Sequence, residues 1–189
     1  MQAINVYCVN VGDKYSSEYV YKLKSAVERH LGFKHRFYCI TDKTELYPFA
    51  IQSDDLPGYW NKLSIFKHKG RCLYFDLDVI IHGSINDLIT DHVFRQINPV
   101  WKNPSKAKYI KDRPDLGTSF TNSSVMAWSD ETEYETFNTN LIYSYRDGAH
   151  WQTDNEKFKY RLNYSVALFH QKPEIHDCLD HKIIKDNWI

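Results

Sequence analysis

Residues 71–83, RCLYFDLDVIIHG, hold two acids two positions apart inside an apolar run bounded by Gly70 and Gly83. Such a run reads as a buried strand, and a buried strand excludes uncompensated carboxylates, because an isolated charge there costs several kcal/mol or neutralises itself. Asp76 and Asp78 therefore need a partner. If the strand runs through both, they share a face about 6.5–7 Å apart. If it ends at them, they lie at its carboxyl end, where open parallel sheets bind ligands. A divalent cation such as Mg²⁺ or Mn²⁺, held by one or two carboxylates and by phosphate oxygens, would compensate them. The plainer reading is that both acids cap a turn or pair with Lys62 or Arg71.

The elements around this run point to an α/β fold. Upstream, AINVYCV (3–9) reads as a strand. SSEYVYKLKSAVERHLG (16–32) follows as an amphipathic helix, with Val20, Leu23, Val27 and Leu31 on one face, Ser16 or Ser17 as cap and Gly32 past its end. HRFYCIT (35–41) is a second strand, so the chain opens with the strand–helix–strand unit of a parallel sheet. After the turn-rich QSDDLPG (52–58), YWNKLSIFKHKG (59–70) reads as a short helix burying Trp60, Leu63 and Phe66.

Downstream, GSINDLI (83–89) suits a helical turn and SFTNSSVMAW (119–128) a strand. Residues 129–145 read as a second amphipathic helix through Tyr134, Phe137, Leu141 and Tyr145. DNEKFKYRL (154–162) reads as helix, YSVALFH (164–170) as strand, and the tail from Gln171 as polar and less regular. The segment 98–118 has three of the six prolines and carries Lys102, Lys106, Lys108, Lys111 and Arg113; it reads as an irregular loop, with a solvated loop or a lid over the site as its two readings.

Composition narrows the function. The 189 residues suit one domain, 1–189, and the 24 basic against 24 acidic residues give no overall field for nucleic acid or an anionic membrane. No apolar run approaches the roughly 20 residues of a spanning helix, and the start lacks the basic region of a signal peptide. Cys8, Cys39, Cys72 and Cys178 form no C-x-x-C pair, and the first three fall in predicted strands, as reduced core residues of a cytoplasm do.

Several stretches together resemble the GT-A fold glycosyltransferases, notably the small bacterial and phage enzymes related to the glycogenin-like glycosyltransferase family 8. YWNKLSIFKHKGRCLYFDLDVIIHGSINDLI (59–89) is similar to the D-x-D region. VNVGDKY (9–15) resembles the nucleotide-binding loop, NSSVMAW (122–128) the N-S-G-V-M strand, TDNEKF (153–158) the G-D-Q segment and FHQKP (169–173) the late F-H-G-K-P segment. Ser124, Asn155 and Gln171 depart from that pattern, standing for Gly, Gln and Gly.

The resemblance implies a Rossmann-like, mainly parallel sheet flanked by helices. It also implies a UDP-sugar donor, a glycan or other hydroxyl acceptor, and a divalent metal, Mn²⁺ or Mg²⁺. It assigns Asn10, Val11, Gly12 and Tyr15 to the nucleotide, Lys62 and Lys172 to the diphosphate, Asp76 to ribose and metal, and Asp78 and His170 to the metal. Asp154 and Asn122 fall on the donor-sugar side, the catalytic positions; the resemblance implies retention of anomeric configuration, and the alternative is inversion with a carboxylate as general base on the acceptor hydroxyl.

Four of these residues also have an ordinary reading: Asp154 as a helix N-cap, Lys62 on an exposed helix face, Lys172 solvated, His170 a surface or satisfied core residue. Two other functions compete. A phosphohydrolase of the haloacid-dehalogenase type also places D-x-D after an apolar strand, though normally the first, and a non-catalytic nucleotide-sugar binder would keep the fold without the reaction.

Overall fold

The computed structural model describes residues 3–90, 93–97, 122–129, 133–137, 141–145, 164–169 and 174–189. Strand β1 (Ile4–Asn10) is followed by helix α1 (Ser17–His30) and strand β2 (His35–Thr41). β1 and β2 pair in parallel from Ile4↔His35 to Asn10↔Thr41, so the opening strand–helix–strand unit forms as the periodicity predicts. Val20, Leu23, Val27 and Leu31 of the helical segment are all buried. Burying each Val or Leu contributes about 1.5–3 kcal/mol, which holds α1 on the sheet.

Strands β3 (Ala50–Gln52), β4 (Cys72–Phe75), β6 (Val93–Ile97), β7 (Asn122–Trp128) and β8 (Glu133–Phe137) complete the main sheet, in the order β3-β2-β1-β4-β7-β6-β8. Among the described residues only β7 runs against its neighbours, so the sheet is mainly parallel. A smaller sheet joins β5 (Val79–Ile81), β10 (Val166–Leu168) and β9 (Ile142–Ser144), with β10 in the middle. Helix α2 (Lys182–Asn187) follows a 3₁₀ turn at Ile175–Cys178.

The central strand β4 has the sequence CLYF and is buried on both faces, as a strand inside a parallel sheet must be. Alternation divides its side chains. Leu73 and Phe75 join the core that includes Val20, Leu23 and Val27, whereas Cys72 and Tyr74 join a second core with Tyr7, Ile40, Ile65, Met126 and Trp128.

Three expectations change. Residues 58–67 form a 3₁₀ helix, and it is Asn61, Ser64 and Ile65 that are buried while Trp60, Leu63 and Phe66 are exposed. At three residues per turn, positions 60, 63 and 66 stay on one face, and here that face is the outer one. The predicted helix over 129–145 is instead β8 and β9: Glu133–Phe137 lies in parallel register on Val93–Ile97, and Ile142–Ser144 pairs with β10. Its Tyr, Thr and Phe suit strands as well as they suit a helical spacing, and the partner strands decide. The tail is not loosely organised, since Ile175, Cys178, Ile183 and Ile184 are buried and Arg29 of α1 donates to the Asn187 carbonyl at 2.7 Å.

Other readings hold: 86–88 forms a helical turn, and all four cysteines are free and buried. No described helix is long and apolar enough to cross a membrane. The predicted segments 98–118 and 154–162 lie outside the described residues.

Candidate active site

The chain leaves β1 for β2 and β3 on one side and returns to β4 on the other. The crevice beyond the carboxyl ends of β1 and β4 is therefore the topological switch point of the sheet, the place where such folds bind ligands. An open cleft of about 360 Å³ lies there, lined at one end by Val9, Asn10 and Val11 and at the other by Tyr74, Asp76, Leu77 and Asp78.

The strand does not run through both acids. β4 stops at Phe75, the Asp76 N–H bonds the Ser124 carbonyl of β7 at 2.8 Å, and from Val79 the chain belongs to the second sheet. The acids thus sit in the turn that joins the two sheets.

Their environments differ. Asp76 Oδ1 accepts from the Tyr74 hydroxyl at 2.5 Å and pairs with Lys62 Nζ at 2.6 Å. Lys62 also reaches the Ser123 carbonyl and Oγ, each at 3.3 Å, and lies 5.0 Å from the centre of the Tyr74 ring. The pairing with Lys62 that sequence allowed is thus present. Asp78 Oδ2 accepts from the Tyr15 hydroxyl at 3.3 Å. Burial, then the neighbouring charge of Asp76, push its carboxyl up to about 7, against the weaker pull of Lys14 and Lys62. Burial and the same carboxylates raise the Tyr15 and Tyr74 hydroxyls, so both remain protonated donors.

The loop after β1 is fixed from behind. The Gly12 N–H points to the Asp42 carboxylate at 3.2 and 3.3 Å, Lys43 Nζ donates to the Gly12 carbonyl at 3.2 Å, and Lys43 also pairs with Asp13. Gly12 has φ +76°, a conformation that costs an L side chain about 1–2 kcal/mol. Among the described residues no atom lies within 4 Å of where its Cβ would be, so the backbone conformation decides. Gly12→Ala is expected to lower stability by about 1–2 kcal/mol, read as a fall in urea midpoint at constant m. An unchanged midpoint would contradict this.

Of the residues singled out in the sequence, Asn10, Val11, Tyr15, Lys62, Asp76 and Asp78 line one cleft. The Asn10 amide is already engaged, donating to the Tyr47 hydroxyl at 2.8 Å. Tyr15 packs its ring on Tyr19, 4.9 Å between centroids. Gly12 shapes the turn behind the cleft. Asn122 lies on β7 outside the lining, its Oδ1 accepting from the Ser124 N–H at 2.8 Å. Asp154, His170 and Lys172 lie outside the described residues. Sequence reasoning missed Lys14 and Tyr74, which line the cleft too. Tyr74 had a signal, since residues two apart on a strand share a face and it precedes Asp76 by two.

Among the described residues no group of three metal-ligating side chains comes together. The donor set nevertheless suits a hard cation: two carboxylates in one turn, of which burial and then the charge of Asp76 push the Asp78 carboxyl up to about 7.

No protein-family model and no curated protein matches the chain. Solved structures do. An active-site mutant of LgtC superposes with a TM-score of 0.64 at 10% identity, covering 96% of this chain and 93% of that one. The galactosyltransferase LgtC in complex with donor and acceptor sugar analogues superposes with a TM-score of 0.59, at the same identity and coverage. The chain has the GT-A fold of these structures.

Proposed function

We propose that residues 1–189 form one glycosyltransferase domain that moves a sugar from a UDP-sugar to a glycan or other hydroxyl acceptor, with a divalent cation and with retention of configuration. The observation that carries this is the cleft at the switch point, where Asp76, Asp78 and Lys62 meet the loop after β1. A crevice with two carboxylates and a lysine suits a cation-bound diphosphate, and the GT-A fold agrees with it.

In the reaction the bond between the anomeric carbon and the β-phosphate oxygen breaks with its electron pair going to the departing diphosphate, the acceptor oxygen bonds the anomeric carbon on the face the diphosphate leaves, and the acceptor proton passes to a diphosphate oxygen. Asp76 and Asp78 would hold Mn²⁺ or Mg²⁺, with His170, which follows Phe169, whose N–H bonds the Asp78 carbonyl at 2.8 Å. The cation supplies positive charge where negative charge grows on the departing diphosphate. Lys62 and Lys172 neutralise the same phosphates. Asn10, Val11 and Tyr15 receive the nucleoside, Gly12 gives their loop its turn, and Asp154 and Asn122 are assigned to the donor sugar. Four free, buried cysteines favour a reducing cytoplasm, a host's if the chain is viral.

Thermal melting with UDP, with and without Mn²⁺, tests this reading. Stabilisation by UDP only with Mn²⁺ supports it, and no shift at saturation overturns it. Hydrolysis of a UDP-sugar then separates an enzyme from a binder, and a covalent aspartyl-phosphate would indicate the phosphohydrolase.

The pH dependence follows from Asp78. Below about 7 its carboxyl holds a proton that a cation must displace. Mn²⁺ affinity, measured calorimetrically from pH 5.5 to 8.5, is expected to fall by up to about tenfold per unit below 7 and to level off above it. A flat profile would show that Asp78 is not a ligand.

A further inference from the structure

Lys62 Nζ lies 2.6 Å from Asp76 Oδ1, on the same oxygen that takes the Tyr74 hydroxyl. A cation approaching Asp76 meets an ammonium already there, and the repulsion between like charges lowers the affinity of the bare cation. A diphosphate offers that ammonium a stronger partner. Lys62 is equipped for release: the Ser123 carbonyl and Oγ, each at 3.3 Å, remain as neutral acceptors when it turns from Asp76. Tyr74 keeps its hold on Oδ1, so the carboxylate stays in place for the cation.

We propose that Lys62 is an exchangeable counter-ion that couples the two ligands of this cleft, keeping free cation affinity low until a nucleoside diphosphate draws the ammonium off Asp76. The proposal rests on the reading of the cleft as a cation–diphosphate site and adds to it a binding rule. Cation and nucleotide each raise the affinity of the other, by one and the same factor. Lys62 acts on the cation through Asp76 and on the diphosphate by its own charge, and the coupling needs both contacts. Removing it should improve binding of one ligand while weakening that of the other, which loss of a merely structural lysine would not do.

The experiment is calorimetric titration of the full chain with Mn²⁺ alone, UDP alone, and Mn²⁺ in saturating UDP, for wild type, Lys62→Met, Lys62→Gln and Lys62→Arg. Melting curves confirm that each variant is folded, and Gln serves where Met is not. Lys62→Met or Lys62→Gln is expected to bind Mn²⁺ alone about tenfold tighter than wild type, and the factor by which UDP raises Mn²⁺ affinity is expected to drop about tenfold. Lys62→Arg keeps the charge and should retain most of the coupling. If the uncharged variants bind free Mn²⁺ no tighter, or if the UDP factor is unchanged, Lys62 is not the coupling element, while the cation–diphosphate reading survives. If wild type binds neither Mn²⁺ nor UDP, that reading fails and takes the coupling with it.

Discussion

Asp78→Asn is expected to abolish ligand-linked stabilisation and, in the same molecule, to raise the stability of the ligand-free protein above pH 7. The first effect follows from the proposed role of Asp78 as a carboxylate ligand of the cation. A ligand at 100 times its dissociation constant adds about 2.7 kcal/mol to the wild type, and the variant should forfeit nearly all of it. The second follows from the proton. The Asp78 carboxyl is pushed up to about 7 in the folded protein, against about 3.9 in an unfolded chain. Between those values the folded state binds a proton that the unfolded state has released, so stability falls as pH rises through the window. It is fully present below about 4 and lost once the pH passes 7. Asparagine carries no charge to desolvate beside Asp76. At pH 8 the ligand-free variant should therefore exceed wild type by about 1–3 kcal/mol, a difference that disappears near pH 4. Urea unfolding at both pH values, with and without UDP and Mn²⁺, measures all four quantities. A variant less stable than wild type at pH 8, or still stabilised by the ligands, would refute the assignment.

Phe75→Ala should produce the largest loss of stability. Phe75 is fully buried at the end of β4, with Val125 of β7 as its register partner, and belongs to the core that receives α1. Truncating a buried Phe costs about 3–5 kcal/mol, a large part of the 5–15 kcal/mol that holds a domain together. The residue directly precedes Asp76, so folding and binding should fail together on heating. UDP with Mn²⁺, binding only the folded form, should restore part of the lost melting temperature. A fall of less than about 1 kcal/mol in urea unfolding would mean that β4 is not the support it is taken to be.

Much of this was legible from local pattern. The strand–helix–strand opening follows from Val20, Leu23, Val27 and Leu31, whose spacing leaves only a helix. The acidic turn declared itself because carboxylates do not belong inside an apolar run, and the loop from Asn10 to Tyr15 and Lys62 do meet it in one cleft. What stayed hidden depends on distant partners. Glu133–Phe137 becomes a strand because β6 lies beside it, and Trp60, Leu63 and Phe66 face outward because the segment winds three residues per turn. Asp42 and Lys43 brace Gly12 from the end of β2, and Ser123 steadies Lys62 from β7. No spacing along the chain announces contacts 30 or 61 residues apart.

The acidic turn also has a mechanical side. Asp76 is tied by its N–H to Ser124 of the large sheet, and Asp78 by its carbonyl to Phe169 at the end of a strand of the small one. The two acids thus lie where the sheets are joined. A cation held by both carboxylates, as proposed, would tie the two sheets together at this turn, so ligand binding and the cohesion of the protein would support each other there.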